Sequence, residues 1–161
     1  MTPLLARMDR EQIQWNVPSP EFYAYTPEWG LLDENNVRIR QELVSSGESL
    51  LKKLRVEKRE NLKRFIAMFR FELLLGEVDR AMMPAFILKK KEVQGEKING
   101  SQEYMDAYRL LVSAPVKEMF DTYMERVHSR GELGVLSSLN QRVWREYNDL
   151  KIYLENKIKE K

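Results

Sequence analysis

Apolar positions recur along most of this chain at steps of three and four, the spacing that collects them on one side of an α-helix. The clearest case is the last segment, where Leu136, Leu139, Val143, Tyr147, Leu150 and Leu154 step by 3, 4, 4, 3 and 4. Such a seam predicts a helix over 132–158 that packs in coiled-coil fashion, with self-association open to any apolar face left beyond it. A second stripe, Leu51, Leu54, Leu62, Phe65, Ile66, Phe69 and Leu73, predicts a helix from Glu48 to Leu75 with one charged gap around Lys58. Gly76 reads as its stop or kink. Val78, Met82, Phe86 and Ile87 carry the stripe onward, and Pro84, which has no backbone donor, should bend or restart that piece.

The turn-rich stretch "VQGEKINGSQ" (93–102) interrupts the pattern, and Ser101 then suits the N-cap of a helix with Tyr104, Ala107, Tyr108 and Leu111 on one face. Pro115 fits the first turn of another, running through Val116, Met119, Phe120, Tyr123 and Val127 to Arg130, with Gly131 as the residue that ends it. No segment sustains strand-like alternation, and neither Gly-rich nucleotide loop is present. The expectation is an all-α, up-and-down helical bundle of about four to five helices, with the 48–75 and 132–158 helices side by side as its spine. At 161 residues the chain suits one folded body. The bundle domain is assigned to 35–161, and 1–34 to an N-terminal helix followed by an extended arm.

That arm changes the picture. "WNVPSPEFYAYTPEWG" (15–30) holds three of the six prolines and two of the three tryptophans. The residues before its prolines avoid the helical region, so the segment should run extended. Trp15, Phe22, Tyr23, Tyr25 and Trp29 are then either packed on the chain's own body or offered to a partner. They are the candidate partner-binding residues.

Charge is uneven along the chain. Residues 1–51 carry four Lys/Arg against eight Asp/Glu, while residues 52–91 carry twelve against five. Within the basic part, Lys52, Arg55, Arg59 and Lys63 fall at steps of 3, 4 and 4, with Lys53 and Arg64 on the flanks. On the expected 48–75 helix they form one face that can follow the phosphates of a nucleic acid or another polyanion, or can be covered by the acidic arm. Lys52, Arg55, Arg59, Lys63 and Arg64 are the candidate polyanion contacts.

The chemistry offered is sparse. With no cysteine there is no disulfide framework, thiol nucleophile or cysteine-based zinc or iron-sulfur site, an absence that fits a reducing compartment. His128 is the only histidine. "ERVH" gives Glu125 and His128 the Glu-x-x-His spacing of helical di-metal sites, but that design needs the motif twice, so His128 is read as a polar residue near a helix C-terminus. Carboxylates such as Glu72, Glu77, Asp79, Asp106, Asp121 and Glu125 are numerous, and no pair among them singles itself out as catalytic. No metal, cofactor or catalytic set is expected. No apolar run reaches the length of a membrane span, since "AMMPAFIL" (81–88) is followed at once by three lysines.

One resemblance bears on function. "LLARMDREQIQWNVPSPE" (4–21) resembles the tail of the catalytic domain in bacterial β-N-acetylhexosaminidases, and "RGELGVLSSLNQRVW" (130–144) is similar to helical tail regions of large bacterial glycan-active enzymes. Neither stretch brings that family's catalytic Asp-Glu pair, so the resemblance implies a helical accessory module. The sequence as a whole points to a non-enzymatic interaction or structural subunit that docks a partner protein or larger assembly through the aromatic arm and the basic helix.

Overall fold

A computed structural model describes residues 3–14, 31–98 and 100–160, with backbone alone at 9 and 12–14. The aromatic arm, with Trp15, Phe22, Tyr23, Tyr25 and Trp29, lies outside the described residues. The fold is an all-α bundle, and the described residues contain no strand. Its helices are α1 (Pro3–Gln14), α2 (Glu34–Leu51), α3 (Glu60–Val93), α4 (Ser101–Ser113), α5 (Val116–Met124), α6 (Arg130–Leu139) and α7 (Arg145–Lys159). None of them is long and apolar enough to cross a membrane.

The expected 48–75 helix is two helices. α2 stops at Leu51, a 3-10 turn occupies Val56–Lys58, and α3 starts at Glu60. Continuing the helix would stack Arg55, Arg59 and Lys63 on successive turns, where like charges four residues apart repel. Reversal instead lets the apolar faces of α2 and α3 bury each other, and the Arg59 guanidinium donates to the Leu54 carbonyl at 2.8 Å inside the turn. Met8 of α1, Leu43 of α2, and Leu62, Ile66 and Phe69 of α3 form the resulting cluster. The basic stripe is therefore not one helical face: Lys52, Arg55 and Arg59 sit in the connection, and Lys63 and Arg64 sit in the first turns of α3.

α3 runs 34 residues, about 50 Å of axis, through both positions expected to interrupt it. Gly76 is buried within it, and Pro84 lies inside it without ending it. A proline in a helix interior costs about 3 kcal/mol. Burial of Met82, Ala85 and Leu88 around it offsets that cost, since each large apolar side chain removed from water contributes about 1.5–3 kcal/mol. The spine also differs from expectation. α2, α4 and α5 all pack along α3, whereas α7 leans more on α4 than on α3. Along this second cluster lie Phe71, Leu75, Val78 and Met82 of α3, Tyr104, Ala107 and Leu111 of α4, Met119 and Tyr123 of α5, and Leu139, Val143, Leu150 and Leu154 of the C-terminal segment.

Three boundaries shift for local reasons. Gly100, at φ 131°, takes the N-cap position of α4 in place of Ser101, in a left-handed conformation that favours glycine. α5 ends at Met124 and not at Arg130, because Ser129 caps a new helix: its hydroxyl accepts from the Glu132 N–H at 3.2 Å, and the Glu132 carboxylate accepts from the His128 N–H at 2.7 Å. Gly131 accordingly lies inside α6. The C-terminal seam is one helical rod in which a π turn, Asn140–Trp144, joins α6 to α7.

α3 packs closely on α2 at Gly47, where an added Cβ would stand 2.8 Å from Ile66 Cγ1 and 3.1 Å from Met8 Cε. Gly47→Leu is expected to lower stability by about 1–3 kcal/mol through overpacking. In Gly47→Ala, a helix-propensity gain of about 1 kcal/mol opposes the clash, leaving a change near zero. Urea unfolding of both variants checks this, and a leucine variant as stable as the parent would contradict the close approach.

Candidate functional site

Three features stand out as chemistry or as surface: a buried ion pair, an aromatic group at the π turn, and a groove between α3 and α4. The ion pair joins the two long helices. α2 carries Arg40 and α3 carries Glu72, both 0 % exposed, with Arg40 Nε donating to Glu72 Oε2 at 2.6 Å. Arg40 Nη1 also donates to Asn36 Oδ1 at 2.9 Å, and the guanidinium lies 5.9 Å from the centroid of the Phe69 ring. Burial pushes the Glu72 carboxyl up to about 7 from its ordinary 4.5, against the opposing pull of Arg40 and, more weakly, Arg126. A carboxyl poised near neutrality can serve as a general acid or base. Here it faces helix packing, and it lines none of the described clefts. The pair joins α2 to α3 within their packing.

The aromatic group was not legible as such in the sequence. Trp144, at the end of the π turn, stacks on Tyr147 with centroids 6.0 Å apart and meets the edge of Phe120 at 6.3 Å. Further along the same helices, Tyr153 donates to Glu92 at 2.6 Å and Tyr108 to Glu155 at 3.0 Å, tying α7 to α3 and α4. Burial and the Glu92 carboxylate raise the Tyr153 phenol, while Lys157 and Tyr153 hold the Glu92 carboxyl down. These contacts are fasteners between helices.

The groove is different, because two of its apolar side chains, Ile87 and Leu110, face outward. Met83, Pro84 and Ile87 of α3 and Ala107 and Leu110 of α4 make an apolar floor to an open cleft of about 450 Å³. Arg80 and Lys91 border it on α3, and Glu103 and Asp106 border it on α4. Ile87 and Leu110 remain 43 % and 49 % exposed. The residues of each wall recur at helical spacing (80, 83, 84, 87, 91 and 103, 106, 107, 110), so each helix presents one stripe to the core and a second to this cleft.

The residues singled out in the sequence are scattered by comparison. Lys52, Lys53, Arg55 and Lys58 stay exposed around the α2–α3 connection, and none makes an ion pair among the described residues. Arg64 lies 4.0 Å from Glu60 and borders a separate cleft of about 500 Å³ with Phe65, Met68 and Arg126. Glu125 and His128 do not share a helical face: Glu125 closes α5, His128 lies beyond it, and His128 Nε2 is 4.0 Å from Glu60. No group of three or more metal-ligating side chains converges among the described residues.

Comparison with known proteins adds no identity to this geometry. No protein-family model matches the chain, and neither a curated protein nor a solved structure shows significant similarity to it.

Proposed function

We propose that this chain is a non-enzymatic interaction subunit that docks a partner protein, and that the α3–α4 groove is the surface it uses. One observation carries the proposal: an apolar floor in which Ile87 and Leu110 stay exposed, held on two packed helices between charged walls. An apolar centre with a polar rim is the anatomy of a protein interface. The arm aromatics Trp15, Phe22, Tyr23, Tyr25 and Trp29 remain candidates for a second contact. Isolation of the tagged full-length chain with its bound proteins, beside a Leu110→Asp variant of unchanged helicity, tests this. The wild type should retain a stoichiometric partner that the variant loses. Identical sets from both would remove the groove from the proposal.

A second reading, polyanion binding at the α2–α3 connection, is favoured by Lys52, Lys53, Arg55 and Lys58, which are exposed and make no ion pair among the described residues. It predicts binding to a short fluorescein-labelled DNA duplex that weakens linearly in log–log salt. The slope should fall by about two in Lys52→Glu/Arg55→Glu, since each phosphate contact contributes roughly 0.9. An unchanged slope sinks this reading.

A further inference from the structure

Resting on the docking role proposed above, we infer that the occupant of the α3–α4 groove is an amphipathic α-helix of a partner protein, with an acidic edge and a basic edge flanking its apolar stripe. The charges of the walls give the argument. Arg80 and Lys91 stand about three turns apart on α3, roughly 16 Å of axis, while Glu103 and Asp106 stand one turn apart on α4. The two walls do not neutralise each other. Arg80, Lys91 and Glu103 make no ion pair among the described residues, and Asp106 is held by residues of its own helix, accepting from Gln102 at 2.8 Å and Arg109 at 3.3 Å.

A helix is the element that fits between such walls. Laid along the groove, it brings residues at i, i+3, i+4 and i+7 onto the floor at Met83, Ile87 and Leu110, and it carries its two flanks to the two walls. Its acidic flank faces α3 and its basic flank faces α4; a helix with like charges on both flanks is attracted by one wall and repelled by the other. Pro84 adds a local acceptor. Having no N–H, it cannot supply the α-helical hydrogen bond to the Arg80 carbonyl, and both residues border the groove.

The test uses the full-length chain and three synthetic amphipathic helices with one leucine stripe. The first has glutamates on one flank and lysines on the other, the second has glutamates on both, and the third has lysines on both. Read by fluorescence anisotropy at low salt, the mixed-flank peptide should bind about tenfold tighter than either alternative, a modest sum of screened pairs. In Glu103→Lys/Asp106→Lys, whose surface changes circular dichroism should show to be harmless to the fold, the preference should pass to the peptide with glutamates on both flanks. Equal affinities, or a ranking that ignores the wall reversal, would overturn the inference. So would self-association of the chain that Leu110→Asp abolishes, which would make a second copy the occupant. If no peptide binds while a cross-linker at position 110 still captures a partner, the docking role stands and its assignment to a helix falls.

Discussion

Replacing Glu72 by alanine is expected to lower stability by about 3–5 kcal/mol, which is the cost of leaving a buried arginine without the carboxyl group that accepts its hydrogen bond. Arg40 and Glu72 are both wholly buried, and their 2.6 Å contact is a buried polar link between α2 and α3. Replacing both together, as Arg40→Leu/Glu72→Leu, should recover most of the loss, because an apolar pair of similar volume carries no desolvation penalty. The gap between single and double variants, read by urea unfolding, is the signature of the pair. A single variant within about 1 kcal/mol of the parent would be no more than the loss of one ordinary hydrogen bond.

The same carboxyl fixes a pH dependence. Its folded pKa, about 7, lies above its ordinary 4.5, so the folded protein holds the proton more tightly than the unfolded chain. Its stabilising contribution is therefore complete below about pH 4.5, declines as pH rises to about 7, and is flat above that, a span on the order of 3 kcal/mol. Asp33, Glu92 and Glu132, whose pKa values are lowered, act in the opposite sense as pH falls through the acid range. Subtracting the curve of Glu72→Gln from that of the parent isolates the Glu72 contribution. A difference that does not change between pH 4.5 and 7 would contradict it.

The second large effect is expected in binding and not in folding. Leu110 is half exposed on the groove floor, so an aspartate there disturbs little of the folded state while placing a charge where the partner must be dry. Loss of a central anchor costs about 2 kcal/mol or more, roughly a thirtyfold weakening. Thermal unfolding should be nearly unchanged, and titration of the isolated partner should show the loss. Equal weakening by a substitution at Lys117, exposed on α5, would mean that the effect is not specific to the groove.

Much of the bundle was legible because core faces repeat. Leu139, Val143, Leu150 and Leu154, and Tyr104, Ala107 and Leu111, are buried in keeping with their spacing. Chain reversal at 52–59 was harder to see, since Leu51, Leu54 and Leu62 keep an approximately helical rhythm across a turn. Only the crowding of cations marked the break. Pro84 and Gly76 misled in the other direction: both read as interruptions, yet packing on both sides of α3 overrides local propensity. The pairing of Arg40 with Glu72 spans 32 residues, and no periodicity announces it. The groove escaped notice because Arg80, Lys91, Glu103 and Asp106 look like any solvated helix face until α3 and α4 are laid side by side. The Ser129–Glu132 capping pair, by contrast, was present in the sequence as S-x-x-E and would have placed the start of α6.

Occupation of the α3–α4 groove by another protein can be tested in the cell. The most direct measurement replaces Leu110 with a photo-cross-linking residue in the full-length chain, irradiates cells of its source, and compares the adducts with those from the same residue at Lys117. One discrete adduct is expected from position 110, absent from position 117 and lost when Arg80 and Lys91 are changed to glutamate. The same adducts from both positions, or none from position 110, would contradict it.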